Sequence, residues 1–252
     1  MVAMRRAPRS VPRVPLITSE AIQWLDKGML DVKPSDFSQC DAVVHLAAHS
    51  SNVPYDSLES CIYWNVLAPL SFFRQMAKGG VRRLIVAGSC FEYGRAGARY
   101  EFIPPDAPLE PTHSYPASKA AASIAFCQLA GELGLELSIH RIFHVFGEGE
   151  AASRMWPSLR AAALAGLDYE MTPAEQIRDF IPVEEVAFQL VAACFDRVAS
   201  GRPLIKNLGS GQPRSLRDFA SEWWRHWGAS GNLLFGAKSY RQDEVMRYVA
   251  LL

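Results

Sequence analysis

Cysteine is scarce in this sequence: five residues in 252, an odd number (Cys40, Cys61, Cys90, Cys127 and Cys194), widely spread and without a C-x-x-C pair. That argues against a disulfide framework and a zinc knuckle, and it points to reduced thiols. No apolar run approaches the roughly 18–20 residues that span a bilayer, and no signal-peptide core opens the chain. The expected setting is therefore cytoplasmic, with no membrane partner. An excess of one charge is also missing, since 26 Lys+Arg balance 26 Asp+Glu. Without a basic field to gather phosphates, general nucleic-acid binding loses its electrostatic support. What is present is an ordinary globular composition, 49% hydrophobic and 21% charged, with enough apolar residues for a sizeable core.

His45 and His49 are four apart, but the first sits in an apolar run and the second just past it, so they do not form a helical metal pair. No metal site is expected. The opening stretch carries Arg5, Arg6, Arg9 and Arg13 among prolines that prevent an amphipathic transit helix. Beyond it, short apolar runs at Ala42–Ala47, Arg83–Ala87 and Leu137–Phe143 alternate with helical stretches at Leu58–Ala77 and Tyr115–Leu133. Continuous apolar strands separated by crossover helices predict an α/β, doubly wound, Rossmann-like parallel sheet over residues 1–147. Residues 148–252 read as a smaller α+β, mainly substrate-binding portion at the carboxyl edge of the sheet, where open α/β sheets bind ligands, with some segments returning to the Rossmann-like domain. Its expected helices are Ser153–Leu164, Val183–Phe195 and Ser215–Trp227, with extended pieces at Ile177–Ile181 and Leu204–Leu208. Trp223, Trp224 and Trp227 are expected to be core.

Chemistry concentrates in two places. Tyr115 and Lys119 lie four apart at a helix start, on one face. A lysine there is expected to lower the phenol pKa and make the tyrosine a usable proton donor or acceptor. Ser89, at the end of the preceding strand, is placed to donate a hydrogen bond to a carbonyl while Tyr115 moves the proton.

With those residues in view, the chain resembles the extended short-chain dehydrogenases/reductases, the NAD-dependent epimerase/dehydratase family. Asp41–Ala48 looks like the family's fourth-strand motif, Asn65 sits as in the following helix, and Ser89, Tyr115 and Lys119 fall on the catalytic triad. The segments Arg141–Gly147 and Arg178–Ala187 match two later motifs. The resemblance implies hydride transfer between a nicotinamide cofactor, NAD or NADP, and a sugar carbon of a nucleotide-diphosphate sugar. Tyr115 would be acid/base, Lys119 would hold the nicotinamide ribose and Ser89 would polarise the reacting oxygen. Ala47 and Ala48 would line the cofactor, and Asp31 and Val32 occupy the place where the family contacts adenine. Arg178 and Arg241 match diphosphate positions, where guanidinium suits bidentate contacts, and Glu244 is placed to accept from a ribose hydroxyl. His144 and Arg154 stand where the family often has asparagine. Family dimers use the two long helices, so a homodimer is expected.

Departures narrow the expectation. Cys90 and Phe91 replace the Asp-Glu pair of 4,6-dehydratases, Phe91 also replaces a cysteine acid of 3,5-epimerase/reductases, and Glu92 would face away if the strand continued. What remains is 4-keto reduction or C4 epimerisation. The family's Gly-x-x-Gly-x-x-Gly turn, which cradles the cofactor pyrophosphate, has no match in the sequence, and this is read as a mis-set or truncated start. Arg5 or Arg6 would follow the second strand, where a basic residue favours the 2′-phosphate of NADP. The alternative reading is a cofactor-less protein that binds sugar nucleotides without catalysis.

Overall fold

The computed structural model describes residues 1–5, 22–241 and 244–252. In chain order the elements are β1 (Val2–Arg5), β2 (Gln23–Asp26), β3 (Ala42–His45), α1 (Leu58–Ile62), α2 (Ala68–Lys78), β4 (Arg83–Ser89), α3 (Ser114–Leu133) and β5 (Glu136–Ile142). There follow β6 (His144–Phe146), α4 (Met155–Leu164), β7 (Tyr169–Met171), β8 (Ile177–Pro182), α5 (Val183–Ala193) and β9 (Leu204–Leu208). The last are β10 (Pro213–Ser215), α6 (Leu216–His226), β11 (Leu233–Phe235) and β12 (Arg247–Tyr248). Among the described residues no helix is long and apolar enough to cross a membrane.

Two compact units interleave along the chain. The first comprises Met1–Glu92, Pro111–His140 and Leu190–Ile205, and the second Tyr93–Glu110, Arg141–Gln189 and Lys206–Leu252. The expected boundary at Gly147 thus falls inside a segment of the second unit.

The α/β reading holds. In the first unit β1 pairs with β2 in parallel, and β3 and β4 pair in parallel within a sheet of order β3-β4-β5-β9. Leu84 and Val86 of β4, Leu137 and Ile139 of β5, and Phe73, Met76, Phe126 and Leu129 of the helices share one buried core. On α3 the buried positions Tyr115, Lys119, Ala122, Phe126 and Leu129 recur at helical spacing and form its inner face. Gly134, at φ 63°, ends α3 in the left-handed conformation that glycine adopts without steric cost. His45 is core, edge-on to Phe73 at 5.2 Å, and burial holds its pKa down at about 3.

The stretch expected as one helix over Leu58–Ala77 is instead α1, a π-turn at Tyr63–Leu67, and α2. Pro69 has no N–H to give the carbonyl of Asn65, and Ala68 donates five residues back, to Tyr63. The buried Asn65 side chain uses the irregularity. Its oxygen accepts from the His49 N–H at 2.6 Å, and its amide donates to the His49 carbonyl at 3.1 Å and to Ser118 Oγ at 2.8 Å.

The second unit has β8 at the middle of a small sheet, with β10 antiparallel to it and β6 and β12 parallel. Asp179 on β8 is fully buried and accepts from Ser210 N and Oγ, Gly211 N and Ala250 N at 2.6–3.1 Å. A Cβ on Gly209 would sit 2.5 Å from that carboxylate, so glycine is required there. The tryptophans are packed as expected: Trp223 contacts Phe146, Trp156 and Trp227 at 5.2–5.6 Å, and Trp224 is buried beside Leu159 and Ala163.

Candidate active site

β4 extends two residues beyond its expected end and stops at Ser89, where a 3-10 turn over Cys90–Tyr93 begins. Ser89 is buried, and its Oγ accepts from the Phe91 N–H at 3.2 Å. The same side chain lies near enough to the Tyr115 phenol to lower its pKa. Lys119, one turn along α3 from Tyr115, is buried and donates to the Ala87 carbonyl at 2.8 Å. The three residues expected to form a triad therefore meet at the carboxyl end of β4.

Their electrostatics correct one expectation. The Tyr115 phenol is not lowered but pushed up to about 12, first by burial and then by the charges of Glu92 and Cys90, while the Ser89 side chain pulls it back. Burial also lowers the Lys119 pKa, with Glu92 opposing that shift. In the protein alone Tyr115 is thus a neutral phenol that holds its proton.

A second correction concerns Glu92. Because the strand ends at Ser89, face alternation does not apply to it; Glu92 is fully buried, and Oε1 accepts from the Ser89 N–H at 2.8 Å. Sequence reasoning also missed Tyr55, whose ring stacks on Tyr115 with centroids 5.6 Å apart and planes at 28°. Ser114 Oγ donates to the neighbouring Asp56 carbonyl at 2.7 Å, tying that loop to the start of α3. A lone acid in an apolar strand-turn was the available signal for Glu92, whereas Tyr55 lies 60 residues from its partner and carried none.

The residues expected at the cofactor are more dispersed. Ala47 and Ala48 are exposed just past the end of β3, and Asp31 is exposed, whereas the Val32 side chain is buried in the core. Arg5 ends β1, ion-pairs with Asp26 and lies over the Trp24 ring at 4.7 Å. Arg6 lies outside the described residues.

In the second unit, Arg178 pairs with Glu244 Oε1 at 2.6 Å, so two expected substrate residues meet each other. Arg154 pairs with Glu150 at 3.0 Å. Burial and the nearby charges of Arg178 and Arg154 hold the His144 pKa well below its usual value, which places all three side chains in one neighbourhood. Arg241 is exposed and joins the Arg178–Glu244 pair through its carbonyl, which accepts from the Glu244 N–H at 3.2 Å. A pocket of about 270 Å³ is lined by Glu148, Glu150, Trp156 and Arg160. Among the described residues no cluster of three His, Cys, Asp or Glu is placed to hold a metal ion.

A parallel α/β sheet carrying serine at a strand end, with tyrosine and lysine one turn apart on the next long helix, defines the extended short-chain dehydrogenase/reductase class. The chain belongs to the NAD dependent epimerase/dehydratase family, whose profile matches residues 2–209. It is similar to UDP-glucose 4-epimerase of Corynebacterium glutamicum, 28% identical over 197 residues covering 70% of this chain and 58% of the relative. Against UDP-glucose 4-epimerase of Azospirillum brasilense the identity is 26%, covering 81% and 62% respectively. The chain thus spans about three fifths of the length of these relatives. Among solved structures, the NAD-dependent NDP-hexosamine 5,6-dehydratase TunA superimposes with a TM-score of 0.78 at 27% identity, covering 99% of this chain and 79% of that one.

Proposed function

We propose that this protein is an enzyme that moves a hydride and a proton at a carbon of a nucleotide-diphosphate sugar, in C4 epimerisation or 4-keto reduction, with NAD or NADP as cofactor. The observation that carries the reading is the assembled corner at the end of β4, with Ser89 buried at the strand end, Tyr115 and Lys119 buried one turn apart on α3, and Lys119 on the Ala87 carbonyl. The similarity to UDP-glucose 4-epimerases supports the substrate class.

The residues fit the nicotinamide end of such a cofactor. Lys119 holds a buried amine beside Tyr115, and the exposed Ala47 and Ala48 leave room at the end of β3. Asp31 would serve the adenine end, and Arg5 the ribose phosphate of NADP once freed from Asp26. When bound, the nicotinamide supplies the hydride donor and acceptor. In the reducing direction the carbonyl carbon gains the hydride, and Tyr115 gives its phenolic proton to the oxygen as the C=O π bond breaks. Ser89 steadies the developing oxyanion by hydrogen bonding, and Lys119 stabilises the phenolate left behind. The oxidising direction runs the same transfers backwards.

In the second unit, Arg178 and Arg154 are the diphosphate ligands, with Arg241 adding charge and His144 between them as a neutral hydrogen-bonding group. Glu244 accepts from a ribose hydroxyl. For assembly, Leu58, Tyr63, Trp64 and Leu67 before and within the π-turn and Ile124 on α3 are exposed apolar residues, and they support a homodimer through these helices. Five free cysteines support a cytoplasmic setting.

Incubation with UDP-glucose or UDP-galactose and NAD or NADP, followed by NMR of the anomeric protons, tests the reading. Interconversion of the two sugars that Tyr115→Phe abolishes is the expected result of epimerisation; for 4-keto reduction the same test is run with a 4-keto sugar nucleotide and NADH or NADPH. Turnover retained in Tyr115→Phe would overturn the catalytic assignment. Sugar-nucleotide binding with no turnover under either cofactor would favour the non-catalytic alternative.

A further inference from the structure

Glu92 is fully buried in the turn after β4, and neither the triad nor the diphosphate ligands include it. Its two oxygens face two elements. Oε1 accepts from the backbone N–H of Ser89 at 2.8 Å, and Oε2 accepts from Ser123 Oγ at 2.7 Å. Ser123 lies one helical turn beyond Lys119 and two beyond Tyr115, so the three share the inner face of α3. One side chain therefore bolts the strand end that carries Ser89 to the helix that carries the other two triad residues. Accepting through both oxygens suits an ionised carboxylate, and the Lys119 amine lies at the same strand end, donating to the Ala87 carbonyl two residues before Ser89.

We infer that Glu92 is a positioning residue that fixes the Ser89 end of β4 against α3 and supplies the counter-charge that keeps the buried Lys119 an ammonium. The inference rests on the proposed function for its effect on turnover; for its effect on Lys119 it rests on the fold, which holds the amine on the Ala87 carbonyl, two residues before the Ser89 N–H that Glu92 binds and one helical turn before the Ser123 hydroxyl that Glu92 also binds. The groups facing Lys119 and Tyr115 are His45 on β3, Cys90 and Glu92 in the turn after β4, and Tyr55 in the loop before α1. His45 is neutral above about pH 3, so the carboxylate among these groups, Glu92, is what opposes the loss of the lysine proton. Burial drives that loss. Removing the Glu92 charge also removes a cause of the raised Tyr115 pKa, so both groups titrate lower without it.

The test is NMR titration of the protein labelled with ¹³Cε-lysine, the Lys119 signal being assigned by its loss in Lys119→Met. In Glu92→Gln, which keeps an acceptor for the Ser89 N–H but not the charge, the Lys119 transition is expected to move down by about one pH unit or more. Glu92→Asp and Ser123→Ala, which keep a carboxylate, are expected to leave it near its parent position. Where turnover is measurable, the pH profile of kcat in Glu92→Gln moves the same way while KM stays. A folded Glu92→Gln with an unmoved Lys119 transition would overturn the inference. If Glu92→Gln does not fold, the double variant Glu92→Gln/Lys119→Met is expected to fold, because no lone buried charge remains. A double variant that also fails would overturn it. A Lys119 shift in a protein without turnover would sink the proposed function and leave this inference standing.

Discussion

The two units hold their polar groups in different ways. In the first, the side chains of the candidate active site rest mainly on neutral backbone groups, Lys119 on the Ala87 carbonyl, Ser89 on the Phe91 N–H and Asn65 on both backbone groups of His49, with the buried Glu92 carboxylate bridging strand and helix behind them. In the second, the arginines are held by carboxylates, Arg178 by Glu244 and Arg154 by Glu150. A group that moves a proton gains from a fixed position before substrate arrives. A group that binds phosphate must stay charged and available, and a carboxylate partner can be exchanged for a phosphate oxygen. The comparison teaches that substitutions in the first unit should act on kcat and those in the second on KM.

That division can be broken at several points. The largest effect is expected for Tyr115→Phe, with kcat falling about 1,000-fold at unchanged KM in steady-state kinetics; an equal rise in KM would break the contrast. Next comes the acid limb of stability. His45 has its pKa held at about 3 by burial, so the unfolded chain binds a proton there that the folded chain refuses between about pH 6.5 and 3. Stability therefore falls as pH drops through that window, by about 1.4 kcal/mol per pH unit from this ring. His45→Leu should remove that contribution in denaturant melts taken at several pH values, and an unaltered slope would show that the ring is not held neutral. Arg178→Ala is expected to raise KM for the sugar nucleotide roughly 10- to 100-fold, the worth of a charged hydrogen-bonding partner, with kcat little changed. Smallest of all, Arg74→Ala breaks an exposed pair with Glu132 at 3.1 Å, and thermal melts should show less than about 1 kcal/mol of change.

Much of the first unit was legible because buried parallel strands are written as continuous apolar runs. Ala42–His45, Arg83–Ser89 and Glu136–Ile142 appear within two residues of where the runs place them, and α3 spans Ser114–Leu133. The meeting of Ser89, Tyr115 and Lys119 was legible from a four-residue spacing and its position after a strand. What escaped has physical reasons. The π-turn follows from a single missing donor at Pro69, a local event that apolar periodicity does not register. Strands β10, β11 and β12 have only two or three residues, and their partners lie 34 or more residues away, so no local pattern announces them. Glu92 was misread because the point where a strand yields to a turn decides which way its side chain goes. The phenol pKa was misjudged because spacing shows that Lys119 is near but not how deeply Tyr115 is buried.

Calorimetric titration with UDP-glucose of the parent, Tyr115→Phe and Arg178→Ala proteins tests the division of labour most directly. The account predicts that Tyr115→Phe binds as the parent does while Arg178→Ala loses most of its affinity. Equal loss in both variants, or undiminished binding by Arg178→Ala, would contradict it.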